Sequence, residues 1–74
     1  MPLAMARPGA VVTLVGINAG FGLRRRLADM GLSPGVTVRI VQSQIPGPVI
    51  IDLRGSRLAL GRGMAQRIMV KEVR

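Results

Sequence analysis

A chain of 74 residues with no Cys and no His has room for one domain. Its inventory excludes a disulfide framework, thiolate metal sites, imidazole-based triads and nearly every zinc or iron site. Eleven basic residues, all Arg except Lys71, stand against Asp29, Asp52 and Glu72 for a net charge of +8, a balance that favours anionic partners: nucleic acid, acidic protein or an anionic lipid face.

No stretch approaches the roughly 20 apolar residues of a membrane span, and the start of the chain breaks at Arg7 and Pro8, so neither a transmembrane helix nor a signal peptide is read and the expected address is cytoplasmic. Met1 to Pro8 lacks either periodicity and is expected to form a loosely held arm ahead of a single domain over residues 9–74, with Leu3 able to tuck against the barrel edge. Pro8-Gly9 marks a turn. Val11 to Val15 is β-rich, with Val11, Thr13 and Val15 on one face and Val12 and Leu14 on the other, which predicts a central first strand.

Gly16 to Gly22 is expected to be a loop. It has the outline of a phosphate cradle, but Leu23 and Arg24 stand where a P-loop needs Lys followed by Ser or Thr, and the G-x-G-x-x-G spacing is missing. A short helix follows from Leu23 to Met30. Leu23, Leu27 and Met30 fall at i, i+4 and i+7 on one apolar stripe, while Arg24, Arg25 and Arg26 occupy the other faces. Gly31 stands where a left-handed C′ residue is favoured, Leu32 where a C″ side chain folds back on Leu27, and Pro34 prevents the helix from resuming. Beyond Gly35 the period changes to alternation, predicting a second strand from Val36 to Ser43.

Ile45-Pro46-Gly47-Pro48 forms a stiff hairpin tip before a third strand, Val49 to Leu53. Arg54-Gly55-Ser56 turns into a short fourth strand, Arg57 to Leu60, with Leu58 and Leu60 on one face. Residues 61–66 hold a helical turn, and Ile68 to Val73 is the last strand. The fold class is therefore mostly β: five short strands with one helix between the first two and a helical turn before the last, closing as a small barrel because a flat sheet this short would leave two long edges exposed.

Three carboxylates spread along the chain leave no acid-base pair in view, and of the methionines Met30 and Met64 are expected in the core. No enzyme, resident metal or cofactor is implied. The Arg24-Arg25-Arg26 run is the densest basic feature, and Arg39, Arg54 and Arg57 are further candidate partner contacts, with Arg62 and Arg67 as additions. Phe21 is the only aromatic ring, which disfavours base stacking; phosphate contact to nucleic acid is the alternative reading.

In order and spacing, Leu3, Pro8-Gly9, the block Arg26-Leu27-x-x-Met30-Gly31-Leu32-x-Pro34-Gly35, Gly47-Pro48, Leu58-Ala59-Leu60 and Ala65-x-x-Ile68-x-Val70 resemble the FeoA family of small SH3-like barrels. The resemblance covers nearly the whole chain. It implies a cytoplasmic accessory protein of bacterial ferrous iron uptake, acting beside the membrane GTPase-permease FeoB and binding its cytoplasmic portion, with iron handling left to the partner. The same barrel is similar to the C-terminal domain of DtxR-type iron regulators.

Overall fold

The computed structural model describes residues 1–73. Strands β1 (Val11–Ile17), β2 (Thr37–Ser43), β3 (Val49–Leu53), β4 (Ser56–Leu60) and β5 (Ile68–Glu72) form one antiparallel sheet in the order β4-β3-β2-β1-β5. Helix α1 (Phe21–Asp29) joins β1 to β2, and the short helix α2 (Arg62–Ala65) carries the chain from one end of the sheet to the other. The five-stranded, mostly β fold and both helical insertions agree with the sequence reading, and β1 is central as expected.

Alternation decides what is inside. Val12 and Leu14, Val38 and Ile40, Val49 and Ile51, and Ile68 and Val70 are buried two apart on their strands, with Leu60 at the end of β4. Each such side chain contributes about 1.5–3 kcal/mol when fully removed from water. Although β4 and β5 end the ladder, Leu60 and Ile68 share one core cluster, so the sheet curls around a common interior. Register shifts between Leu14 and Gly16 and between Ile40 and Gln42 accompany the curl, because an extra residue on one strand bends it.

Two Pro-Gly turns set the approach to β1 and β2. Ala10 N donates to Arg7 O at 3.0 Å and Val36 N to Ser33 O at 3.1 Å, with Gly9 at φ 89° and Gly35 at φ 96°. Pro at the second position and a left-handed Gly at the third are what a type II turn requires.

Three expectations need correction. The loosely held arm is instead fastened: Leu3 is fully buried and Ala6 nearly so, while a 3₁₀ turn spans Leu3–Met5. Met1 N donates to Val70 O at 2.8 Å and Val70 N to Met1 O at 2.7 Å, with Pro2 opposite Met69. A lone leucine has no period, so the sequence allowed Leu3 to tuck against the edge but did not show that the whole segment is fastened. Second, the expected loop over residues 16–22 shrinks to 18–20, since β1 runs to Ile17 and α1 starts at Phe21 behind an extended Gly20 N-cap. Third, Met30 is not core: it caps α1 and is 40% exposed, whereas Met64 is half-buried against the core.

Candidate docking surfaces

Helix α1 lies on the core through one strong anchor. Leu27 is fully buried and Leu23 half-buried, while Arg24, Arg25 and Arg26 are all exposed. The end of the helix is built as its residues dictate. Gly31 N donates to Ala28 O at 2.9 Å and Leu32 N to Leu27 O at 2.8 Å, with Gly31 at φ 91°; this is the paired hydrogen bonding of a Schellman motif. Leu32 is thereby driven into the core, where it is fully buried.

The turn away from the helix opens a groove. Gly16, Ile17, Arg24, Ala28, Leu32, Ser33 and Pro34 line a cavity of about 480 Å³. Its wall is mainly apolar, and Arg24 supplies the charged group. Gly35 N donates to Leu14 O and Leu14 N to Val36 O, at 2.7 and 2.8 Å, so the groove's loop wall is hydrogen-bonded to β1. Sequence reading missed this site because Gly16 and Pro34 lie far apart in the chain and neither carries a reactive group.

A second basic site lies on the sheet. Arg39 on β2 stands opposite Asp52 on β3, which stands opposite Arg57 on β4, so the three share one row and one face. They line a smaller pocket with Gly9, Ile40 and Val41. Asp52 Oδ1 accepts a hydrogen bond from Gly55 N at 2.8 Å, tying the row to the Arg54-Gly55 turn. Arg54, at φ 52°, is exposed on that turn. A Cβ placed on Gly31 would lie 3.1 Å from Leu53 Cδ2, so the end of α1 abuts the residue preceding Arg54.

The six candidate arginines thus divide. Arg39 and Arg57 meet in one pocket beside the turn that carries Arg54, Arg24 lines the other cavity, and Arg25 and Arg26 are exposed on α1 outside both. Arg62 is diverted to a structural task. Its Nε donates to Gly47 O at 3.1 Å and its terminal nitrogens to Gln44 O at 3.1 Å, Ser43 Oγ at 3.4 Å and Ala4 O at 3.4 Å. One guanidinium fork therefore holds the β2–β3 tip to the N-terminal turn. The remaining motif residues are structural: Leu60, Ala65, Ile68 and Val70 are buried, Leu58 is half-buried, and Pro34 and Gly35 form the exposed turn.

Among the described residues no three of His, Cys, Asp and Glu gather where they could hold a metal ion, and no helix is long and apolar enough to cross a membrane.

Comparison with known proteins adds to this geometry. The family model described as FeoA domain matches residues 1–72. The chain is 44% identical over 71 residues to the "Putative Fe(2+) transport protein A" of Methanocaldococcus jannaschii, covering 96% of this chain and 85% of that protein. A crystal structure of an iron uptake regulatory protein (FeoA) superimposes with a TM-score of 0.90 at 40% identity, covering 99% of this chain and 96% of that one. A manganese-dependent transcriptional repressor shares the fold alone, at TM-score 0.87 and 24% identity, over 99% of this chain and 41% of that one. A Schellman-capped helix on a curled five-stranded sheet, matched by the family model over residues 1–72 and by a relative of 44% identity, is sufficient: the chain belongs to the FeoA domain family.

Proposed function

We infer that this protein is a non-enzymatic accessory protein of ferrous iron transport, acting in the cytoplasm by binding the cytoplasmic portion of the membrane GTPase-permease FeoB. The observation that carries the reading is the 44% identity, over nearly the whole chain, to a protein named for Fe(2+) transport. The residue chemistry supports a role without catalysis. No His or Cys is present, and Asp52 is committed to Gly55 N, so the chain offers a partner surface rather than a ferrous site. Iron is the transporter's cargo in this reading, and this chain needs no cofactor.

Contacts would come from Arg24 at the apolar groove and from Arg39, Arg54 and Arg57 at the sheet pocket. An apolar floor with a charge at its rim suits a protein partner carrying an apolar side chain next to a carboxylate. Charge reversal is the test: Arg24→Glu combined with Arg57→Glu lowers capture of this protein by the transporter's cytoplasmic domain about tenfold or more, measured in detergent without lipid. Undiminished capture by a folded variant excludes these surfaces. Failure of the natural protein to be captured excludes the transporter partnership.

A further inference from the structure

The outer side of α1 is left over from both cavities. At about 100° per residue, Leu23 and Leu27 point inward, and Phe21 and Arg25 fall on the opposite side with Arg26 on its flank. Arg24 and Ala28 face the groove, whose lining includes neither Phe21 nor Arg25 nor Arg26. Phe21 is 70% exposed although it is the chain's only aromatic ring; Arg25, one turn on, is exposed beside it, and Arg26, also exposed, stands on the flank about 140° round the helix from the ring.

We propose that this outer side of α1 rests on an anionic lipid surface, with the Arg25 and Arg26 guanidiniums on the headgroups and the Phe21 ring in the interfacial layer. Charge complementarity argues for that occupant. The helix carries three arginines against Asp29 alone, on a molecule of net charge +8. Asp29 is four residues from Arg25 and shares its side, so it offsets Arg25 there, and the positive excess comes from Arg26 on the flank and from the charge of the molecule as a whole. Basic residues next to an anionic leaflet are attracted over about a Debye length, and an apolar group adds a second, salt-insensitive contribution. Either signal alone gives marginal attachment; together they hold.

The ring also separates lipid from nucleic acid. Duplex phosphates would engage the arginines but leave Phe21 in water, and one ring cannot stack successive bases of a single strand. The convex outer side of a helix suits a fluid interface, which can receive a protruding ring without a preformed pocket.

The test needs no transporter, so it stands apart from the partner reading above. The full chain is mixed with phosphatidylcholine vesicles, with and without about one-third phosphatidylglycerol, and the bound fraction is read by flotation at about 0.1 M salt. Binding to the anionic vesicles only is expected. Arg25→Glu with Arg26→Glu should lower the partition coefficient about tenfold or more, and Phe21→Ser about threefold to tenfold, with circular dichroism unchanged for both. Phe21→Trp creates a lone tryptophan whose emission should shift to the blue on the anionic vesicles. Absence of binding, equal binding to neutral vesicles, an unaltered double variant or unshifted emission from bound protein each overturn the proposal. So does tighter binding to duplex DNA than to anionic vesicles at matched phosphate concentration.

Discussion

Gly31 shows how much of this fold rests on single residues whose backbone geometry disfavours a side chain. At φ 91° it lets the chain leave α1 in the left-handed region, where a side chain costs about 1–2 kcal/mol, and an added Cβ would crowd Leu53 Cδ2 at 3.1 Å. Gly31→Ala is therefore expected to destabilise the protein by about 1–2 kcal/mol, read as a lower urea midpoint at constant slope. Gly22 is the contrast. It lies inside α1 at ordinary helical geometry with nothing within 4 Å of an added Cβ, so Gly22→Ala is expected to stabilise by about 0.5 kcal/mol in the same measurement. Gly31 was legible from sequence because the hydrogen bonds it serves close within five residues. Arg62 was not, since its acceptors lie 15, 18, 19 and 58 positions away.

Among the elements, the β3–β4 hairpin carries a local conflict. Leu53 pairs with Ser56 across a two-residue loop, and both loop residues, Arg54 and Gly55, have positive φ, 52° and 89°. That is the requirement of a type I′ turn, which favours Asn or Asp at the first position and Gly at the second. Arg54→Asn is expected to raise stability by about 0.5–1 kcal/mol, seen as a higher melting temperature. An Arg at this strained position is consistent with its proposed use on the docking surface. Capture by the transporter domain should then fall while stability rises. The turn was visible in Arg54-Gly55-Ser56, whereas the helix boundaries were not. Phe21 and Gly22 carry no apolar period, and it is the hydrogen bond from Arg24 N to Gly20 O at 3.2 Å that places the start of α1 two residues before Leu23.

For the molecule as a whole, closure depends on the N-terminal segment. Leu3 and Val70 are both buried in one cluster, and Met1 pairs with Val70 along the outer edge of β5. An edge strand covered in this way is withheld from pairing with another chain. Leu3→Ala is expected to cost about 2–4 kcal/mol, a large part of what a core this small supplies. Loss should be cooperative, with circular dichroism and amide-exchange protection declining at one urea midpoint. Separated midpoints would instead identify the N-terminal segment as an independently opening unit.

By itself the chain order settled the strands, the helix stop and the exclusion of thiol and imidazole chemistry, because each depends on residue identity or on neighbours within one turn. Met30 marks the boundary of that reach: its spacing matches the Leu23 and Leu27 stripe, yet at the helix cap it is 40% exposed. Tertiary structure alone decided which arginines share a pocket, that Arg62 is held by carbonyls rather than free for a partner, that the first residues seal the sheet, and that a groove opens beside α1. These outcomes depend on register and curl. Both arise from packing between segments far apart in the chain, which no local pattern encodes.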